Sequence, residues 1–178
     1  MGSGLDFFKS NPPGCLDEFD KVYVDDLDVE FDGHGEDTNP IFKLVCKCGN
    51  ETFNAYGYDW VNPDTNETFY VSPLSAKCTK CSCRNQIFDI KINGYDAVLG
   101  HGYFSARGEG DSRGFECPSC NDATKFELFV RFEYTDDIFD EDFTEFTGRE
   151  KELFTWFSLH GRCASCKTIV DISEDECA

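Results

Sequence analysis

Cations are scarce in this sequence. Lys and Arg together number 16 against 35 Asp and Glu in 178 residues, for a formal charge of −19 and a pI near 4.3. So acidic a chain repels phosphate backbones and anionic lipid, which argues against direct nucleic-acid binding and against a membrane surface as partner. Long apolar runs are missing too: no stretch approaches the roughly 20 residues that span a bilayer. Met1 to Lys9 lacks the basic-then-apolar pattern of a secretory signal, and Asp6 stands where a myristoylation signal carries Ser or Thr. The glycine-rich stretch 99–114 lacks the Gly-Lys-Ser/Thr ending of a phosphate-binding loop. Helical periodicity is weak throughout.

Cysteine and phenylalanine are abundant instead. The chain holds 11 Cys and 18 Phe and is 40% hydrophobic, enough for a core. The cysteines fall in close pairs, which suits metal knuckles better than a disulfide framework, and with no secretory signal they place the protein in a reducing cytoplasm.

The remaining pattern reads as mostly β with little helix. Residues 17–37 alternate apolar residues with carboxylates, as one or two edge strands with a solvated acidic face. Strands are expected over 41–46, 51–58 and 86–92, with a turn at Asn62-Pro63-Asp64-Thr65-Asn66 and a hairpin-type turn at Asn93-Gly94. From Lys125 to Tyr134 the alternation predicts a long half-buried strand: Phe126, Leu128, Val130, Phe132 and Tyr134 face inward, and Lys125, Glu127, Arg131 and Glu133 face outward. A second acidic stretch, 136–152, reads as a loop or short helix, followed by strands over 153–162 and 168–172. The expected organisation is an acidic N-terminal leader (1–37), a first repeat (38–98), a glycine-rich linker (99–114) and a second repeat (115–178). Each repeat alone would be near the size at which a hydrophobic core is marginal and a metal staple helps.

The cysteines carry the repeat. Cys46-Lys47-Cys48-Gly49 is followed by Thr52-Phe53, and Cys117-Pro118-Ser119-Cys120 by Thr124-Lys125-Phe126. The closing knuckles match without a gap: Leu74 to Cys81 aligns with Leu159 to Cys166, with leucine four before the first cysteine and a basic residue one before it. Four thiolates from two such knuckles make a tetrahedral zinc site. The candidate ligands are Cys46, Cys48, Cys78 and Cys81 in one half, and Cys117, Cys120, Cys163 and Cys166 in the other. The first set is irregular: Cys46-x-Cys48 is one residue short, and Cys83 stands by as a spare or exchange ligand. Buried cysteines without metal and an iron–sulfur cluster are the alternatives. Cys15 and Cys177 read as free thiols, His101 as a loop histidine, His160 as a flank of the last knuckle, and Trp60 and Trp156 as core.

Together these residues resemble the zinc-ribbon class, in which a knuckle, a β-hairpin excursion and a second knuckle close on one ion. The resemblance implies tandem ribbons with long excursions, each holding one structural Zn2+. Gly49 follows its knuckle cysteine as in many ribbons; Asn121 departs from that habit. Closed four-thiolate sites lack the open position that catalysis needs, so no enzyme is expected. In charge and size the chain also resembles small acidic bacterial immunity and inhibitor proteins. That resemblance implies a non-enzymatic protein that engages and blocks a basic partner such as a toxin or nuclease. The ribbon class itself implies the alternative of a module in a nucleic-acid-processing or transcription complex, with Lys77, Lys80, Arg84, Arg107, Arg113 and Arg131 as its cations.

Overall fold

Alternating apolar residues rich in Phe, Val and Ile favour extended backbone, and most of the chain takes it. The computed structural model describes residues 4–25, 27, 39–101, 106–120, 123–135 and 146–178. Among these lie nine strands: β1 (Phe19–Val24), β2 (Ile41–Cys46), β3 (Phe53–Val61), β4 (Thr68–Cys78), β5 (Arg84–Phe88), β6 (Arg113–Gly114), β7 (Phe126–Glu133), β8 (Trp156–Cys163) and β9 (Ile169–Glu176). Two short helices, α1 (Gly4–Ser10) and α2 (Tyr95–Leu99), complete the regular structure with 3-10 turns at Gly14–Leu16 and Glu150–Glu152. The protein is mostly β, as its pattern predicts.

All nine strands join one antiparallel sheet. The order runs β1-β2-β7-β3-β4-β5, with β8 on the other edge of β7, β9 beyond it, and β6 on β3. The register is the informative part. In the ladder β3-β4-β5, Phe53 pairs with Cys78, Tyr56 with Ser75, Ser75 with Gln86 and Lys77 with Arg84. In the ladder β7-β8-β9, Phe126 pairs with Cys163, Phe129 with His160, His160 with Asp171 and Arg162 with Ile169. The two ladders match from Phe53 to Tyr56 and from Phe126 to Phe129, and share a register shift at Leu74/Ser75 in one and Leu159/His160 in the other; they part at Tyr56/Tyr58, where β3 and β4 shift register and β7 and β8 do not.

Between the ladders the strands cross over reciprocally. Phe53 of β3 pairs with Phe126 of β7. Beyond that point β7 takes β2 as partner (Phe42 with Val130), while β3 takes β6 (Gly57 with Arg113). The strand leading into each first knuckle is therefore hydrogen-bonded to the first strand of the other ladder. Residues 106–114 of the glycine-rich stretch take part: Gly108 N–H donates to the Ser72 carbonyl at 2.8 Å, and Phe115 N–H donates to that of Ala55 at 2.9 Å. Only glycine fits at 108, because a Cβ there would come within 2.0 Å of the Tyr58 Cβ.

Aromatic rings fill the core between and around these strands. Phe8, Phe19, Phe42, Phe53, Phe88, Phe126, Phe132, Phe154 and Phe157 are all fully buried. Phe88 of β5 stacks on Phe157 of β8 at 4.0 Å between ring centroids and 6° between planes, which ties the two ladders through their side chains. Phe8 on α1 stacks on Tyr134 at 3.6 Å and 10°, so the N-terminal helix caps the same core.

Several expectations change. β7 is buried on both faces: Phe129 packs with Leu27 and Ile41 on the side read as solvated, and Arg131 there is 6% exposed. Arg131 tolerates that site because Glu133 pairs with it at 2.7 Å. Asn93-Gly94 does not close a hairpin. Gly94, at φ +88°, leads into α2, and the Asn93 side chain accepts the Asp89 N–H at 2.9 Å. Trp60 lies toward the tip of the β3–β4 hairpin rather than in the core, with its ring 6.1 Å from that of exposed Phe69. His160 is more than a knuckle flank: it is 1% exposed, and its Nδ1 lies 2.8 Å from an Asp171 carboxylate oxygen. Residues 26 and 28–37 of the acidic leader and 136–145 of the second acidic stretch lie outside the described residues.

Candidate metal centres

A tight turn that carries two cysteines presents both sulfurs to one side, and each half of the chain supplies two such turns. Cys46 ends β2 and Cys78 ends β4, so the pairing of Phe53 with Cys78 fixes the second knuckle over the start of β3. In the short first knuckle Gly49 adopts φ +79° and donates its N–H to the Cys46 carbonyl at 2.7 Å, which closes the turn with one residue fewer. The Cys117 knuckle follows β6, and Cys163 ends β8 opposite Phe126.

The structure gathers the eight expected cysteines into two sets of four. In each set, Cys46, Cys48, Cys78 and Cys81 or Cys117, Cys120, Cys163 and Cys166, the sulfurs all lie within 4.8 Å of one another. The closest cross-knuckle contacts are 3.5 Å (Cys46–Cys81), 3.6 Å (Cys48–Cys78) and 3.7 Å (both Cys117–Cys166 and Cys120–Cys163). Sulfurs at the corners of a tetrahedron with metal–sulfur bonds of about 2.3 Å are separated by about 3.8 Å. The donor sets thus have the size and shape of closed four-thiolate metal centres. None of the eleven cysteines is in a disulfide.

No protein family, curated protein or solved structure matches this chain.

The two closing knuckles share a backbone frame. Cys78 N–H donates to the carbonyl of residue 83, and Ser82 N–H donates to the carbonyl of Cys78, at 2.9 and 3.0 Å. Cys163 N–H and Lys167 N–H make the same bonds to Thr168 and Cys163, again at 2.9 and 3.0 Å. Ser82 and Lys167 both take the left-handed conformation, at φ +64° and +65°. Thr79 N–H and Ala164 N–H then bond to the carbonyls of Thr52 and Lys125, which pins each closing knuckle to the segment that leaves the other.

The local electrostatics favour thiolates at matching positions. The Cys166 thiol is lowered to about 6, chiefly because Thr168 hydrogen-bonds its thiolate. Cys81 is lowered to about 6 by a hydrogen bond from Cys83, the residue in Thr168's place. Burial works against the Cys78 thiolate, but the N–H groups of Cys81 and Lys80 outweigh it and lower its pKa. Burial pushes Cys46 up and Cys120 up to about 12, so a bound cation would have to displace their protons. In each set the first cysteine of both knuckles is buried and the last cysteine, Cys81 or Cys166, is exposed.

Two contributors escaped the sequence reading. Asn50 donates from its side-chain amide to Cys78 Sγ at 3.3 Å and to the Thr52 carbonyl at 2.6 Å, and so braces one knuckle against the other. An Asn next to the knuckle glycine was the available signal. Thr168 has no sequence signature at all. Of the three thiols outside the sets, Cys15 and Cys177 are raised by burial, which makes them poor nucleophiles, and Cys83 lies against the first set.

Proposed function

We propose that the protein is a rigid acidic binding module, stabilised by two structural zinc ions, that engages and blocks a basic protein partner. Zinc is the ion of choice because four thiolates in a closed tetrahedron suit it and leave no position for substrate. The ions would be held by the eight cysteines above and would supply cross-links rather than chemistry. Each four-thiolate zinc adds −2, which takes the chain to about −23. Cross-linked strands lose little freedom on binding, and dense carboxylates steer a basic partner while competing for its Lys and Arg.

One observation favours a protein partner over nucleic acid. The arginines that a nucleic-acid reading needs are engaged within the chain. Arg107 makes a two-pronged pair with Asp89 at 2.9 and 2.8 Å, and Arg113 with Asp59 at 2.7 and 2.6 Å. Arg131 is buried against Glu133. Arg84 lies over the Tyr56 ring and bonds Ser75 and Ser112.

The test has two arms. Native mass spectrometry of the protein refolded with zinc is expected to show two ions per chain. Immobilised protein is expected to retain proteins of high isoelectric point that elute with rising salt, and to leave labelled duplex DNA and RNA unshifted at low salt. Tight nucleic-acid binding, or capture of neutral partners that salt does not release, would overturn the reading.

A further inference from the structure

The first metal centre has one sulfur more than a tetrahedral ion uses. Cys83 Sγ lies 3.0 Å from Cys81 Sγ and 3.4 Å from Cys46 Sγ, in contact with the ligand set itself. Its place is built into the frame of the knuckle. Cys83 occupies the position of Thr168, in a turn whose backbone hydrogen bonds and left-handed residue match those of the second centre. There the equivalent side chain is a hydroxyl, which can hydrogen-bond Cys166 but cannot be oxidised to a disulfide. Cys48, Cys81 and Cys83 are exposed and Cys46 and Cys78 are buried; Cys48 contacts the buried Cys78, so Cys81–Cys83 is the contact in this centre whose two sulfurs both face water.

We propose that Cys81 and Cys83 form an oxidation site for peroxide-class oxidants, through which the first centre releases its metal while the second keeps its own. The inference rests on the zinc reading above. In the first step Cys83 gives its proton to solvent and its thiolate attacks hydrogen peroxide, the O–O bond breaks, and Cys83 sulfenic acid and hydroxide form. In the second the Cys81 thiolate leaves the metal and attacks the Cys83 sulfur, which expels hydroxide and makes the S–S bond. Two electrons pass from the two sulfurs to peroxide, and zinc stays Zn2+ throughout. A disulfide of about 2.05 Å needs only about 1 Å of approach from the observed contact. The ion is left with Cys46, Cys48 and Cys78, an opened site of weaker hold. A dithiol reductant returns two electrons and restores the fourth ligand.

The experiment starts from the full chain loaded with zinc and adds hydrogen peroxide in small excess. Metal release is followed with a chromogenic zinc indicator, and the products are examined by native mass spectrometry and non-reducing peptide mapping. The expected result is loss of one ion of the two, a Cys81–Cys83 disulfide 2 Da lighter than the dithiol, and an unmodified second centre, all reversed by dithiothreitol. Cys83→Thr, which copies the second centre, is expected to load two ions and release the first at least tenfold more slowly. The reciprocal Thr168→Cys is expected to make the second centre peroxide-sensitive. Release of both ions together, wild-type release from Cys83→Thr, or a disulfide mapped to another pair would overturn the proposal. A chain that takes up no ion at Cys46, Cys48, Cys78 and Cys81 before oxidant would instead sink the zinc reading, and this inference with it.

Discussion

Replacing Phe157 by alanine tests whether the two ladders unfold as one. Phe157 is fully buried on β8, stacks on Phe88 of β5 at 4.0 Å, and meets Phe132 edge-on at 5.7 Å. Truncating a buried Phe costs about 3–5 kcal/mol, and the loss of two favourable ring contacts puts this site toward the upper end. With a urea dependence of about 2 kcal/mol per molar for a chain of this size, the midpoint should fall by about 2 M. Two tryptophans allow each ladder to report separately. Trp156 adjoins the mutated residue on β8, and Trp60 sits on the distant β3–β4 hairpin. Single-tryptophan versions, Trp60→Phe and Trp156→Phe, are unfolded in urea with metal bound, each with and without Phe157→Ala. Both fluorescence transitions are expected to move together by the same amount. If the Trp156 transition drops while that of Trp60 stays put, the ladders are independent and the reciprocal strand pairing does not couple them.

Other expectations follow from single residues. Asp175 is 5% exposed, and burial, with the charge of Asp89 adding to it, raises its carboxyl to about 7. A folded pKa above the unfolded one means that the native state holds the proton longer. Stability should therefore fall as pH rises from about 4 to 7, by up to about 4 kcal/mol, and Asp175→Asn should flatten that slope in urea melts of the metal-loaded protein. Cys117→Ser should reduce the metal content by one ion per chain, read by native mass spectrometry, and leave the Cys46 centre loaded. Gly108→Ala drives a methyl into the Tyr58 Cβ on β3 and should cost about 2–3 kcal/mol in urea unfolding, with metal content unchanged.

What could be read from the sequence was local. A cysteine pair two or three residues apart carries its chemistry within one turn, so the eight candidate ligands were legible, and the gapless match from Leu74–Cys81 to Leu159–Cys166 foreshadows two knuckles with one backbone frame. The long alternation from Lys125 to Tyr134 likewise marked β7. Its second buried face could not be read, because the covering residues Leu27 and Ile41 lie about a hundred positions earlier and nothing local announces them. Strand partners have the same difficulty. No residue of β2 says that it will pair with β7, since alternation sets which face is buried and leaves the neighbour open. Asn93-Gly94 misled for a different reason: a positive-φ glycine serves a helix start as readily as a two-residue turn.

The reciprocal crossing of β2 and β6 also has a consequence for the order of synthesis. Every ligand of the first centre, with Cys83, leaves the ribosome before β7 exists. The early half can thus close around an ion while the edges of β2 and β3 still lack their partners, and open edges of this kind invite pairing with other chains. A chain halted between Cys83 and Phe126 would still lack β7, and the free edge of β2 could take that strand from any neighbouring molecule that offers it.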